Sequence, residues 1–525
     1  MPATLYKKIG IASAIMMASV FLSRVIGLFR EMAIAYAGGA GGDVDAYQIA
    51  FVIPEILNHI AASGFLSITF IPIFSHYLAN NEEEEGWRVF SLIMTWFGSG
   101  LLFFIIAAMI MAPQLVSSIA PGLTDPQVFS KAVRMTRIVL PAQFFFFAGG
   151  LLMAVQFAKE KFAIPALAPL LYNIGIISGG MLLGSRFGIE GFSWGVLGGA
   201  FTGNFLLQYW GAKKAGMKFQ ICFDFTHPDL RKYVYLTLPL MLGLTMTFST
   251  EFFLKFFGSF LPHGSIAALN YGLRIMFIMV GLFGQAVGMA TYPYMARLVA
   301  ENKIEEMNRL LNDTLKALSL VVPFSVLAMV LRHEIVLIIF QRGRFDAAAT
   351  ELTSGLLVFL LAGTFAFAAQ TVVIRGFYAM QNTLFPAVFG TLAVIVSIPV
   401  YYYCMNSMGA DGIALAISLS AFLQVFLLYA LWNKRSRNIR SREVYLFFAK
   451  IFLLSAVIGI LLEWIKRTFL TGFNQSAFSG SLLISALLSA LFAVIFIFSG
   501  YLLKIKEISG ITEKLAGKIK NITGR

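Results

Sequence analysis

Cysteine is nearly absent from this chain. Cys222 and Cys404 are the only two, far apart and without metal-ligand spacing, so neither a disulfide framework nor a zinc site is indicated. Charge is also scarce. Charged residues make up 13% of 525 residues against 58% hydrophobic ones, where soluble domains carry about 25% charged. No His-Glu-x-x-His, phosphate-binding loop or nucleophile elbow occurs, and no aspartate cluster of the kind that holds a metal-bound sugar nucleotide. These absences argue against an enzyme, a cofactor and a metal centre.

Long apolar runs are what the sequence has in abundance. A helix needs about 20 apolar residues to cross the hydrocarbon, and runs of that length recur to the end. They are too long and too uniform for alternating barrel strands. The expected fold is an all-α polytopic membrane protein with fourteen spans, near 9–37, 45–78, 89–117, 127–157, 164–184, 189–212, 233–258, 265–298, 308–330, 350–379, 384–405, 411–432, 444–465 and 479–503. The opening "MPATLYKKIGIASAIMMASVFLS" has a basic-then-apolar pattern, but its apolar run is too long for a signal peptide and reads as a retained first helix.

The net charge of +14 fits a cytoplasmic excess of Lys and Arg better than nucleic-acid binding. Alternate loops collect 24 basic residues on one side, including the cluster "KRSRNIRSR" and the tail from Lys504, against 6 on the other. The positive-inside rule then puts both termini in the cytoplasm, with an even number of spans. The acidic "NNEEEEGWR" reads as a solvated loop on that side.

Three landmarks repeat at an offset of 221 residues: Pro72 with Pro293, Pro165 with Pro386, and "GIEG" at Gly188 with "GADG" at Gly409. The repeat pairs spans one to six with seven to twelve. Six is even, so the halves run in the same direction about an axis along the membrane normal, a transporter plan. The expected organisation is an N-lobe over 1–220, a C-lobe over 221–440, and spans thirteen and fourteen with a basic cytoplasmic tail over 441–525.

Charges inside spans are the candidate site, because a charge at mid-bilayer is costly. Arg24 lies about 15 residues into span one, roughly 22 Å deep. Arg24, Gly27 and Glu31 share one stripe, and Arg30 points about 120° away, so Arg30 reads either as a rim anchor or as a second cavity charge. Arg274 is the counterpart in span eight. Arg375 reads as an interfacial anchor, and Lys131, Arg134 and Arg137 read as lining an outer rim or facing headgroups. Arginines aimed at one cavity suit an anionic ligand, since the guanidinium fork matches phosphate oxygens. Glu251 and Lys255 at i,i+4 read as a neutralising pair. Glu55 and His59, at the same spacing, read either as a proton-sensitive pair or as a structural hydrogen bond.

The stretches "SRVIGLFRE…DAYQIAFVIPEIL…SGFLSITFIPIF", "GSFLPHGSIAALNYGLRIM", "IFQRGRFDA" and "RGFYAMQNTLFPA" resemble the MurJ/MviN family, the lipid II flippases of the multidrug/oligosaccharidyl-lipid/polysaccharide exporter superfamily. The resemblance implies an inverted V of two lobes. Its cavity would move an undecaprenyl-pyrophosphate-linked disaccharide pentapeptide from inner to outer leaflet of the bacterial cytoplasmic membrane, with spans thirteen and fourteen forming a groove for the lipid tail. By motif match it marks Arg24, Arg30 and Arg274 as cavity arginines, Asp45 as the acidic residue opening span two, and Ser23 as the residue preceding the first arginine. The implied partners are lipid II, membrane lipids and cell-wall synthesis proteins, around a monomer. Two departures stand out. Asn58 and His59 replace a usual pair of arginines and Glu55 a usual asparagine, while Leu254 stands where some members have a sodium-ligating aspartate. The first removes positive charge and keeps open an exporter of another polyprenyl-linked glycan or a drug. A glycan polymerase fits less well, since it would need acidic residues in a sizeable loop.

Overall fold

The computed structural model describes residues 3–59, 65–242, 245–474 and 476–503. The basic tail from Lys504 lies outside them. The regular structure among the described residues is helical, and the chain divides into two compact units, one of residues 1–267 with 342–346 and one of 268–341 with 347–525.

The first unit contains α1 (Ala3–Gly38), α2 (Gly42–Ala50), α3 (Val52–Leu57), α4 (Phe65–Ala79), α5 (Glu83–Ile110), α6 (Ala112–Ile119), α7 (Pro126–Val139), α8 (Ala142–Ala158), α9 (Ala163–Phe187), α10 (Glu190–Gly199), α11 (Leu207–Lys214), α12 (Pro228–Leu242) and α13 (Thr245–Gly258). A π-helical stretch, Ala200–Leu206, joins α10 to α11. From α14 (Ser265–Val280) the chain passes into the second unit. There it forms α15 (Ala286–Ala300), α16 (Ile304–Ser319), α17 (Val321–Val330), α18 (Arg332–Phe340), α19 (Ala347–Ala362), α20 (Thr364–Ala379), α21 (Leu384–Ser436), α22 (Ser441–Phe469) and α23 (Phe478–Leu502). The segment 342–346 belongs to the first unit because Arg344 N donates to the Tyr36 carbonyl at 2.9 Å and Gly343, at φ +61°, lies against the Tyr36 ring.

Among the described residues nine helices are long and apolar enough to cross a bilayer, and a tenth crossing follows if α19 and α20, bent by 41°, count as one. The chain is a polytopic membrane protein. All fourteen expected segments are helical along most of their length. The 53-residue α21 carries two of them, interrupted at Gly409. Segment 189–212 passes through the π-helical stretch, and two others flank residues outside the described set.

Two local devices shape the first unit. Asp125 caps α7 by accepting from Gln127 N and Val128 N, with Pro126 next in the first turn. Helices α9 and α10 meet through glycines at four-residue spacing: a Cβ at Gly175 would fall 2.5 Å from Gly199 Cα, and one at Gly179 would strike Gly195. Small residues at that spacing let backbones approach closely in a membrane. The helix breaks at Gly188 (φ 57°, ψ −135°) and Gly409 (φ 61°, ψ −128°) have nearly the same dihedrals, 221 residues apart. Only glycine adopts them without strain.

In the second unit α22 and α23 share a core with α17 and its neighbours. Val321, Val330, Ile451, Ile458, Leu462, Ile484, Leu488 and Phe492 form it, and Phe324 meets Phe492 and Phe496 edge to face.

Candidate functional site

Helix α1 lies against α9, and the polar residues on that face of α1 recur at helical spacing. Ser19 donates to the Ala166 carbonyl. Asn173 Nδ2 donates to Ser23 Oγ at 3.3 Å and to the Pro169 carbonyl at 2.9 Å. Arg30 donates from Nη1 to Asn173 Oδ1 at 3.1 Å and from Nη2 to Glu31 Oε1 at 2.5 Å. Glu31 and Asn173 are buried. Arg30 is the one built into a polar cluster within the helix pair, and Arg24, about 100° round the helix from Ser23, is exposed on the unit's surface. Glu31, expected on Arg24's stripe, accepts from Arg30.

A second polar cluster joins α3 to α13. Lys255 is 1% exposed, with Nζ 3.2 Å from Glu251 Oε2 and 3.7 Å from Glu55 Oε2. The expected i,i+4 pair of Glu251 and Lys255 is present, and Glu55 joins it from across the unit. Leu254 beside it is fully buried. Of the two readings for His59, the structural hydrogen bond is the one formed. Nδ1 lies 2.8 Å from the Glu55 backbone carbonyl, and a carbonyl only accepts, so Nδ1 carries the proton. The ring also lies against Phe248, 5.7 Å between centroids.

Asp45, marked by the resemblance as a ligand residue, is buried with both oxygens on backbone donors. Oδ2 accepts from Gly264 N at 2.5 Å and Oδ1 from Ala267 N at 2.7 Å. It therefore fixes the first turn of α14, as a carboxylate at a helix N-terminus does. Arg274, nine residues further along α14, is partly exposed in the second unit. The expected rim cations are tied down. Lys131 meets Asp43 at 2.5 Å, Arg134 meets Glu190 at 2.6 Å, and Arg137 Nε donates to the Met109 carbonyl at 2.9 Å. Arg375 donates to the Gln285 carbonyl at 3.4 Å.

The second unit also holds an apolar groove of about 920 Å³ walled by α17, α19, α20, α21 and α22, with Phe365, Phe422, Phe448 and Phe452 on its sides and Arg332, Glu463 and Arg467 at one end. Glu334, fully buried nearby, accepts from Lys466 Nζ at 2.7 Å, and Lys466 also donates to the Val330 carbonyl at 2.9 Å. Sequence reasoning missed Asn173 and Glu334. Asn173 is a lone amide in an apolar run, a signal that marks a buried partner without naming it, whereas Glu334 follows Arg332 and His333 and reads as part of a polar loop end.

The family model for the lipid II flippase MurJ matches residues 34–510. The chain belongs to that family. Similar members include the probable lipid II flippase MurJ of Rickettsia prowazekii (strain Madrid E), 28% identical, with 92% of this chain and 96% of that protein covered. Another is the probable lipid II flippase MurJ of Buchnera aphidicola subsp. Baizongia pistaciae (strain Bp), 27% identical over 87% and 90%. In fold, the chain is similar to a lipid II flippase MurJ solved in an inward closed conformation, with TM-score 0.74, 24% identity, and 92% of this chain and 99% of that one covered. Membership in the MurJ family makes this a transporter rather than an enzyme.

Proposed function

We propose that this chain is a lipid II flippase that moves the undecaprenyl-pyrophosphate-linked peptidoglycan precursor from inner to outer leaflet by alternating access. The observation that carries the reading is the family match over 34–510. In this reading the repeat halves are the two rocking lobes. The pyrophosphate is held by exposed Arg24 with Arg30 and Arg274, and Ser23 and Asn173 aim Arg30. Asp45 acts as a positioning residue through α14. The groove between α17 and α22 takes the polyprenyl tail, a match of apolar surface to apolar chain. Lys255, between Glu55 and Glu251, is the candidate coupling group. Membrane potential would bias any step moving net charge by about 2.3 kcal/mol per unit charge per 100 mV.

The finer assignments belong to the same proposal: the bacterial cytoplasmic membrane, both termini in the cytoplasm, a monomer, and cell-wall synthesis proteins as partners. Asn58 and His59, in place of arginines, favour one second reading, a flippase for another polyprenyl-linked glycan.

Complementation of a flippase-depleted bacterium tests the proposal, with lipid II exposure on the outer leaflet measured directly. Wild-type chain is expected to restore growth and exposure, and Arg24→Ala and Arg274→Ala to fail at normal expression. Rescue by all three equally would remove the arginine roles. Growth without rescue of lipid II exposure would favour the other glycan.

A further inference from the structure

Between α11 and α12 the chain turns at Gly216 (φ +90°) and runs extended over residues 217–227 along α5. Gln220 N donates to Ser91 Oγ at 3.1 Å and Cys222 N to Thr95 Oγ1 at 3.4 Å. The rings of Phe223 and Phe225 lie 5.3 Å and 3.6 Å from that of Trp96. Both ends are fastened by polar contacts: Lys218 to Glu84 at 2.6 Å and Asp224 to Arg88 at 3.4 Å as ion pairs, and His227 Nε2 to Glu85 at 3.2 Å. The acidic tract, expected only to be solvated, is the clamp that holds this loop. The loop therefore climbs α5 from Glu84 to Thr95 and returns to Glu85, an excursion of about 16 Å at 1.5 Å per residue. Helix α5 is one of the nine that can cross the membrane.

Side chains alternate along an extended chain, and here the outward set is Phe219, Ile221, Phe223 and Phe225, exposed by 45%, 75%, 61% and 64%. Four large apolar groups in succession, level with the interior of a spanning helix, do not suit a loop in water. The surroundings have the composition of a membrane interface. Tyr209 and Trp210 on α11 are exposed, with Lys213 and Lys214 over their rings. Lys213, Lys214, Arg231 and Lys232 are exposed and hold no ion pair among the described residues. Amphipathic aromatics sit at the headgroup level, and basic residues there attract anionic lipid.

We propose that residues 217–227 are an interfacial membrane anchor. Phe219, Ile221, Phe223 and Phe225 enter the acyl boundary of the leaflet at the Glu83 end of α5, and Lys213, Lys214, Arg231 and Lys232 rest on anionic headgroups. The anchor tethers to lipid the only covalent link between spans six and seven.

Site-directed spin labelling of the full chain tests this in nanodiscs of phosphatidylcholine and phosphatidylglycerol. A nitroxide is placed by Ile221→Cys, or by Asn81→Cys as a control in the turn before α5, each in a Cys222→Ser/Cys404→Ser background. At 221, collision with oxygen should exceed collision with a water-soluble nickel chelate severalfold, and at 81 the order should reverse. Nickel accessibility at 221 equal to that at 81 would overturn the anchor, and so would exclusion of both quenchers, which would mean a covering protein. The headgroup half has its own readout. Omitting phosphatidylglycerol should lower the melting temperature of wild type more than that of a Lys213→Gln/Lys214→Gln/Arg231→Gln/Lys232→Gln variant. An equal change in both would refute that half.

Discussion

Each unit buries a lysine beside carboxylate, and the two sites are completed differently. In the second unit Lys466 meets one carboxylate, Glu334, at 2.7 Å and the Val330 carbonyl at 2.9 Å. Those are ordinary lengths for charge-assisted bonds, and the charges balance. In the first unit Lys255 faces two carboxylates at 3.2 Å and 3.7 Å, one on its own helix and one on α3. The closed, short pair is built like a structural brace. The looser arrangement, with one ammonium shared between two helices, is built like a contact that can be exchanged. Both lysines are buried, but Glu334 is fully enclosed while Glu251 and Glu55 are partly exposed, which also suits a brace in the second unit and an exchangeable contact in the first.

The comparison breaks most sharply at Glu334. Glu334→Gln leaves the Lys466 ammonium buried without its counter-charge, and removing one partner of a buried pair costs about 3–5 kcal/mol. Thermal or denaturant unfolding in detergent should show that loss, and Glu334→Leu/Lys466→Met should recover most of it. A Glu334→Gln protein as stable as wild type would show that the pair is no brace. Glu55→Gln should behave in the opposite way. Glu251 still neutralises Lys255, so stability should fall by less than about 1 kcal/mol, the worth of a weak pair. Substrate flipping in reconstituted vesicles should fall at least tenfold if exchange of Lys255 between the carboxylates is used. Loss of stability with normal flipping would make the first-unit cluster a second brace.

What the sequence made legible was local or periodic. Run length located the fourteen helical segments, and the 221-residue offset located two glycine breaks whose dihedrals agree within a few degrees. Glu251 and Lys255 were legible because a helix brings i and i+4 together. The other partners were hidden by distance along the chain. Asn173 reaches Arg30 across 143 residues, Lys466 reaches Glu334 across 132, and Asp45 reaches Ala267 across 222. No periodicity encodes such pairs. The same limit explains the arginines: the helical wheel separated Arg24 from Arg30, but only the position of α9 decides which one is enclosed.

The smallest expected effect lies in the acidic tract, ahead of the apolar segment expected over 89–117. Glu83 forms an ion pair with Lys159 and accepts from Trp87 Nε1 at 3.0 Å, and Lys159 also donates to the Ala215 carbonyl at 2.7 Å. The hydrogen bond from Lys159 holds the Glu83 carboxyl below the usual range, which is about 4.3 for an unperturbed glutamate. A group whose folded value is depressed stabilises the fold fully above its unfolded value, and that stability is lost as pH falls through the folded one. Glu83 is 44% exposed, so solvent screening limits the pair to the surface range of about 0.2–1 kcal/mol. Glu83→Gln should therefore lower stability slightly at neutral pH and flatten the fall in melting temperature below about pH 4.3. Because Lys159 anchors Ala215 at the start of the 217–227 loop, the variant should also raise nickel accessibility of a label at 221. An unchanged acid limb would show that Glu83 holds nothing, and a changed limb with an unmoved label would confine its effect to α5.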